Sequence, residues 1–366
     1  MRILQLVTGE KWTGTAAVVF DQTAALVDAG IEAQFGFIGG SPLARRLASL
    51  GWARPILRRP RGPVRFVRDV AALRAILARE KFDLVHAHGT HDHFLAALGV
   101  GPTGARLVRT LHHVRHVRRG FPWRALTRRT HAFAFANRAI AAKFCGRGPT
   151  LAPVVDPDRF TPEGKPSELT ARLGASRVSF LIGTVGKLAA GRGHEEAIRA
   201  LAALPAGAGI LHVGKGDEEK KLESLAASLS LADRNFWAGY QEEELPALFR
   251  SMHVFLFTAS GSEQGQRAIL EAMASGLPIV ALDVPGVRDL VTEGEQGFVA
   301  RDREGLVSGL RRLMEDPELR VRFGRRARMR ARDFAPQKFA AAAQGFYESA
   351  LSRAGRPGPS GRVPGS

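Results

Sequence analysis

What most constrains the fold of this chain is an alternation of short apolar runs with amphipathic segments, run through twice. RILQLV and AQFGFI read as buried strands, and Thr15–Gly30 between them (TAAVVFDQTAALVDAG) reads as a helix ended by glycine. FDLVHAH and ARLVRTLHH each follow a helical stretch and continue the series. A proline-rich stretch, PVVDPDRFTPEGKP from Pro153 to Pro166, then interrupts it. Beyond it SFLIGTVGK, AGILHVGKG, RNFWAGY, HVFLFTAS and PIVALDV read as strands, with HEEAIRALAAL and EEKKLESLAASL as helices. Strands alternating with helices predict α/β architecture, with parallel sheets covered on both faces. The expected domains are 1–160 and 161–335, followed by a helix over 336–352 that crosses back to the first domain. The tail 353–366, rich in Gly, Pro and Ser, lacks the apolar residues to build a core and is expected to be disordered.

Charge divides the chain unevenly. Residues 1–160 hold 25 Lys/Arg against 10 Asp/Glu, a net of +15, whereas residues 161–366 hold 28 against 25, a net of +3. Between Arg106 and Arg147 there are 11 basic residues and no acid. A one-signed field of this kind attracts an anion: nucleic acid, an anionic lipid surface or a phosphorylated substrate. No apolar run reaches the roughly 18 residues a spanning helix needs. Glu10 and Lys11 interrupt the N-terminal apolar run too early for a signal peptide, so the expected location is cytoplasmic, with peripheral attachment to the inner membrane face as an extension. A single cysteine, Cys145, excludes a disulfide framework.

Open parallel sheets bind ligands beyond the carboxyl ends of their strands. The segment GSEQGQRAILEAMASGLPIVA, Gly261 to Ala281, follows one such strand and carries Glu263 and Glu271 eight residues apart. At about 3.6 residues per turn, two acids so spaced within one helix would not share a face. The spacing makes sense if Glu263 lies in a loop and the helix opens near Gly265 or Gln266. The exposed N–H groups of its first turn can then hold an anion such as diphosphate.

This segment resembles the signature of glycosyltransferase family 4, in which two glutamates eight apart precede Ala-Met-Ala, a small residue, Gly and Pro. Glu263, Glu271-Ala272-Met273-Ala274, Gly276 and Pro278 match in register. MRILQLVTGEKWTG looks like the family's opening strand and glycine loop, FDLVHAH like its His-x-His strand, and RTLHH like its Thr-x-His segment. VVDPDRFTP is similar to its interdomain linker, GTVGKLAAGRGH to its Gly-Arg-Leu and Lys-Gly pair, and VGKGDE to its Val-Gly-x-Gly. The resemblance implies the GT-B fold, two Rossmann-like domains with parallel sheets facing an interdomain cleft. It implies an acceptor-binding N-terminal domain, a C-terminal domain for a nucleotide sugar, retention of anomeric configuration, and no metal or other cofactor.

By the same resemblance Lys187 and Arg192 fall where the family clamps the diphosphate, with the two cation types exchanged. Gly14, in the loop Trp12-Thr13-Gly14, allows close approach to the diphosphate. Gly214, Tyr240 and Gln241 are expected beside the nucleotide base, and Gly265, Gln266 and Arg267 at the anion-binding helix start. Glu271 is expected to reach a ribose diol, and Glu263 to face the sugar as a catalytic group. Gln264-Gly265-Gln266-Arg267 departs from the family's Gly-Phe-Gly. His112 matches a histidine near the donor sugar and is expected to position sugar or acceptor; His113 leaves the register open by one.

His86, His88, His91 and His93, with Asp92, raise a metal site, but no further cluster completes one and the family accounts for the motif, so no metal is expected. His113 to Arg129, which contains Arg115, Arg118, Arg119 and Trp123, suits an anionic membrane face or a lipid-linked acceptor. No nucleic-acid motif accompanies the basicity, so nucleic acid is not an expected partner. The resulting expectation is a retaining hexosyltransferase acting on a glycan or lipid-linked acceptor in cell-envelope polysaccharide or lipopolysaccharide synthesis. Two alternatives stand beside it: an epimerase or hydrolase of nucleotide sugars on the same fold, and a non-enzymatic basic protein binding nucleic acid or anionic lipid.

Overall fold

The computed structural model describes residues 1–58, 63–114, 121–144, 147–259 and 266–352. The chain forms two compact units: Met1–Val154 together with the chain from Pro336, and Val155–Ala335. The change of unit comes at 154/155 rather than at 160. Val154 is buried with Ile3 and Leu26 in the first core, and Val155 with Phe160 and Phe249 in the second, so adjacent valines at the start of the proline-rich stretch belong to different cores.

The first unit runs β1 (Arg2–Leu6), α1 (Gly14–Asp28), β2 (Glu32–Gly39), α2 (Pro42–Leu47), β3 (Ala53–Arg58), α3 (Pro63–Glu80), β4 (Leu84–Ala87), α4 (Thr90–Gly99), β5 (Arg106–Leu111), α5 (Phe121–Arg128), β6 (Ala132–Phe135) and α6 (Arg138–Phe144). Its six parallel strands lie in the order β3-β2-β1-β4-β5-β6. The second unit runs α7 (Glu168–Arg172), β7 (Phe180–Val185), α8 (His194–Ala202), β8 (Ala208–Val213), α9 (Glu219–Ser228), β9 (Asn235–Gly239), α10 (Leu245–Arg250), β10 (Val254–Phe257), α11 (Gln266–Ala274), β11 (Ile279–Leu282), α12 (Val287–Leu290), β12 (Gly297–Ala300), α13 (Arg303–Glu315) and α14 (Pro317–Ala331). Its parallel order, β12-β11-β10-β7-β8-β9, is the same topology. Both are the doubly wound order 3-2-1-4-5-6, whose direction reverses beside the first strand.

Period-two alternation assigns the core residues to the two faces of each sheet. In β10, Phe255 and Phe257 enter one cluster while Val254 and Leu256 enter the other. In β1, Leu4 and Leu6 face one cluster and Ile3 the other.

α15 (Pro336–Ser352) returns the chain to the first unit. Its buried residues Phe339, Ala340, Ala343, Phe346, Tyr347 and Ala350 recur at helical spacing and pack with Ile3, Ala25 and Leu26 of β1 and α1. α1 starts earlier than its apolar pattern suggests. Thr13 caps it, its side chain accepting from Ala16 N, so Gly14 is the first helical residue rather than part of the preceding loop.

Candidate active site

In the second unit the expected donor residues gather at the carboxyl ends of adjacent strands. Lys187 and Arg192 lie between β7 and α8, Gly214 follows β8, Tyr240 and Gln241 follow β9, and Gln266 and Arg267 open α11 after β10. β7 and β10 are the neighbours at which the strand order reverses, so the loops leaving them diverge to opposite faces and leave a crevice.

Backbone hydrogen bonds continue the sheet's pairing into these loops. Gly186 N donates to Val213 O (3.0 Å), Leu188 N to Lys215 O (3.1 Å), and Gly214 N to Gly239 O (2.8 Å). Across the reversal, Thr258 Oγ1 donates to Gly193 O at 2.7 Å. Gly193 adopts φ +82, and a Cβ there would stand 2.1 Å from the Thr258 carbonyl oxygen, so the contact requires glycine.

The two cations differ in their settings. Lys187 Nζ lies 3.6 Å from Asp217 Oδ2, with side chains 59% and 94% exposed. So solvated a pair is weak, and the ammonium can exchange its carboxylate for a stronger anion. Arg192 is half-buried, and burial lowers its guanidinium pKa from the ordinary value. A partly desolvated cation gains more from an anionic partner than a solvated one.

The first turn of α11 carries no acid, so its N-terminal dipole is not offset there. Gln266 is buried and donates through Nε2 to Pro285 O at 3.2 Å. Glu271, one turn further on, is buried and meets Arg267 Nε at 2.9 Å. Tyr240 is exposed, its hydroxyl 3.1 Å from Glu242 Oε2, whereas Gln241 Nε2 donates to Ala238 O at 2.7 Å. Glu263 and Gly265 lie outside the described residues.

Beneath the cations lies a network that sequence reasoning missed. Thr184 Oγ1 stands 3.4 Å from His194 Nδ1 and 3.2 Å from His212 Nδ1, and His212 Nε2 donates to Asn235 Oδ1 at 2.9 Å. His212 also stacks on Trp237. Burial pushes the His194 pKa down to about 4, aided by Arg192, and that of His212 to about 3. Polar residues alternating within HEEAIR and ILHV were the available signal.

In the first unit the strand carboxyl edge is filled by side chains. His112, immediately after β5, is buried, and its Nε2 is 2.9 Å from His88 Nδ1. His113, the next residue, is half-buried. His88 continues to Gln5, and His86 bonds both Tyr347 and Thr110. Gln5 and Tyr347 were not anticipated; each is a lone polar residue within an apolar face.

Asp92 acts as a latch. Its Oδ1 accepts from Thr8 N at 2.9 Å and from the Thr8 hydroxyl, and its Oδ2 from Gly89 N at 2.6 Å, tying the loop after β1 to the start of α4. His93 bonds Thr130 at 2.7 Å. Among the described residues no group of three or more His, Cys, Asp or Glu gathers as a metal site.

The proposed membrane-facing set is corrected at Trp123. Only 8% exposed, it packs edge-on against Phe144 and His93 and beneath the Arg109 guanidinium, because α5 turns this ring into the core. Arg115, Arg118 and Arg119 lie outside the described residues. Among the described residues no helix is long and apolar enough to cross a membrane.

Two family models match the chain: Glycosyltransferase Family 4 over residues 12–146, and Glycosyl transferases group 1 over residues 168–330. The 2-deoxystreptamine glucosyltransferase of Streptomyces kanamyceticus is 30% identical over 275 residues, 64% of this chain and 69% of that protein. The lipopolysaccharide core biosynthesis glycosyltransferase LpsE of Rhizobium meliloti is 29% identical over 158 residues, 43% of this chain and 46% of that one. Among solved structures, HepE of Anabaena in complex with UDP superposes with a TM-score of 0.83 over 95% of this chain and 100% of that one, at 20% identity.

Proposed function

This chain belongs to glycosyltransferase family 4 and has the GT-B fold, and from that premise we propose that it moves a hexose-type sugar from a nucleoside-diphosphate sugar to a hydroxyl of a glycan or lipid-linked acceptor. The observation that carries the reading is the convergence of Lys187, Arg192 and the acid-free start of α11 on the reversal point of one sheet. A diphosphate is the ligand this chemistry fits: a solvated and a half-buried cation follow β7, and the helix that follows the neighbouring β10 offers first-turn N–H donors. Structures of HepE with UDP and with UDP-glucose, and the LpsE relative, favour a uridine nucleotide and envelope glycan synthesis.

In this reading Lys187 and Arg192 stabilise the charge that builds on the departing nucleoside diphosphate, which makes them the main electrostatic contributors. They do what a metal would otherwise do, so the reaction is proposed to run without one. Departure and attack on the same sugar face, with retention, is the stereochemical course proposed. Glu271 holds the ribose, its charge balanced by Arg267; Glu263 faces the sugar; His112 positions the sugar or acceptor. The net +15 of residues 1–160 suits an acceptor bearing phosphate, or an anionic membrane face at the cytoplasmic side.

A thermal-shift panel of UDP, GDP and ADP with their hexose conjugates tests the assignment. A true donor at a hundredfold excess over its Kd is expected to add about 3 kcal/mol of apparent stability. Absence of any shift across the panel, in the presence and absence of EDTA, overturns it.

A further inference from the structure

The arginines of α14 fall into two sets. Leu319, Phe323, Ala327 and Ala331 bury one face of this helix in the cores of the second unit. Gly324 lies against the turn after α11, where a Cβ would stand 2.1 Å from the Gly276 carbonyl oxygen. That close approach holds the helix against rolling, so its outer face is fixed. Arg320, Arg328 and Arg330 turn inward and tie it down. Arg320 Nη1 donates to Leu313 O at 2.6 Å, and its guanidinium lies over the Phe180 ring. Arg328 Nη1 donates to Ala274 O and, at 3.1 Å, to Phe160 O. Arg330 donates to Asp333 Oδ2 at 2.8 Å and to Asp289 O at 2.9 Å.

Arg322, Arg325 and Arg326 point the other way. All three are exposed, as is Arg332 just past the last turn, and among the described residues none of the four side chains makes a hydrogen bond or ion pair. Two apolar side chains stand among them, Val321 at 54% and Met329 at 69% exposure. Val321, Arg325 and Met329 follow one another at i, i+4 and i+8, with Arg322 and Arg326 alongside, so charge and apolar surface share one face. Charge also sets this helix apart from its surroundings. Residues 317–332 hold seven Arg and one acid, a net of +6, whereas the rest of 161–366 holds 21 Lys/Arg against 24 Asp/Glu, a net of −3. A basic face on an acidic half turns one side to an anionic surface, because the field that draws α14 in repels the remainder. Exposed arginines alone would suit any polyanion, and the apolar pair decides among them. A phosphodiester backbone offers Val321 and Met329 no apolar contact. At the level of lipid headgroups, phosphates meet the guanidinium groups and the acyl boundary takes the apolar side chains.

We propose that the outer face of α14 docks on a membrane surface rich in acidic phospholipid, with Arg322, Arg325, Arg326 and Arg332 against headgroup phosphates and Val321 and Met329 at the acyl boundary. The surface belongs to the second unit and owes nothing to residues 113–129. It needs neither donor nor transfer, so it stands or falls separately from the glycosyltransferase reading. Each arginine close to an anionic leaflet adds about fivefold to partition, and four add roughly several hundredfold. Association of that strength is reversible and weakens as salt screens the exposed charges.

Sedimentation of the full chain with extruded vesicles, at about 50 mM salt, is the test. Vesicles of equal parts phosphatidylglycerol and phosphatidylcholine are expected to bind the chain, and vesicles of phosphatidylcholine alone to bind it about 100-fold less. The triple variant Arg322→Gln, Arg325→Gln, Arg326→Gln is expected to weaken partition to the acidic vesicles about 100-fold. A control variant, Lys165→Gln, Arg172→Gln, Lys220→Gln, removes the same charge from exposed positions of the same unit and should cost less than about fivefold. Val321→Ser with Met329→Ser keeps every charge and should cost about 10-fold through lost apolar contact. All the substituted side chains are exposed, so melting curves are expected to match the wild type. Wild-type chain that ignores acidic vesicles, or prefers them no more than neutral ones, overturns the proposal. Equal losses in the two charge variants, or unchanged partition in either α14 variant, overturns it too. So does duplex DNA bound more tightly than the vesicles through the same three arginines, or a dimer that the α14 variants abolish, since the face would then have another occupant.

Discussion

The two units share one strand order and treat the same edge of it in opposite ways. At the carboxyl edge of the first sheet, side chains fill the space: Gln5, His86, His88, Thr110, His112 and Tyr347 bond one another in the interior. At the corresponding edge of the second, glycines thin the loops, and backbone groups bond across them from Gly186 to Val213 and from Gly214 to Gly239. A filled edge holds one ring in a fixed pose. A thinned edge lets a ligand approach main-chain donors and cations. Identical topology therefore carries one strand edge filled by side chains and another lined by glycine-rich loops, and local composition decides which.

The sharpest way to break this contrast is to remove the cations. The double variant Lys187→Ala, Arg192→Ala is expected to lower kcat/KM for sugar transfer by about 10²–10³-fold, the scale of losing preorganised charge stabilisation. Its Tm should stay within about a degree or two, because neither side chain is part of the core. Steady-state kinetics and a melting curve on one preparation check both. Transfer unaffected by the double change would mean that the second edge is a pair of surface cations and nothing more.

A pair of glycine substitutions sharpens the comparison at the next scale. A Cβ on Gly216 would stand 2.0 Å from the Leu188 carbonyl oxygen, and backbone cannot swing aside as a side chain can. Gly216→Ala is expected to cost about 2–4 kcal/mol, the range for steric conflict in a packed region. Gly30, which ends α1, has φ +78 but open space around it, so Gly30→Ala carries conformational strain alone, about 1–2 kcal/mol. Equal losses in chemical denaturation would show that the Leu188 carbonyl yields to a Cβ on Gly216.

How far such differences could be read from sequence depended on where each residue sits. The central strands announced themselves because both of their faces are buried, as in RILQL and VFLF. Three strands gave no comparable signal, β3, β6 and β12, and each is an edge strand. β3 carries Pro55 and two arginines, which only an edge tolerates, while AFAF and GFVA are four residues long. Lys187 and Arg192 stand out in the sequence because charge beside glycine after a strand has few structural uses, and both lie in the loop between β7 and α8. Tyr347 was not, because its partner Gln5 is 342 residues away, and no local pattern encodes that meeting. Trp123 misled for a related reason: an aromatic among arginines looks like a membrane contact until α5 turns it inward over His93.

Acid should separate the units by a smaller margin. Histidines kept neutral by burial have folded pKa values below the unfolded value of about 6.5. Between the two values the unfolded chain binds more protons than the folded one, so stability falls as pH drops below about 6.5 and is unaffected above it. His86, His88, His93 and His131 are shifted down in the first unit, and His194, His212 and His253 in the second. At pH 6 the cost of each strongly depressed group depends only on the unfolded pKa, because the folded form is already fully neutral. Among the described histidines with a resolved shift, the most deeply shifted are His86, His88 and His93 against His194 and His212, a surplus of one in the first unit. That surplus is worth about 1 kcal/mol at pH 6. Hydrogen exchange of the slowest amides, compared between pH 7.5 and pH 6 after correction for intrinsic rates, is expected to show the larger loss of protection in β1, β4 and β5. A larger loss in β7, β8 and β10 would place the greater store of buried neutral imidazole in the wrong sheet, and the picture of a first edge filled by neutral side chains would go with it.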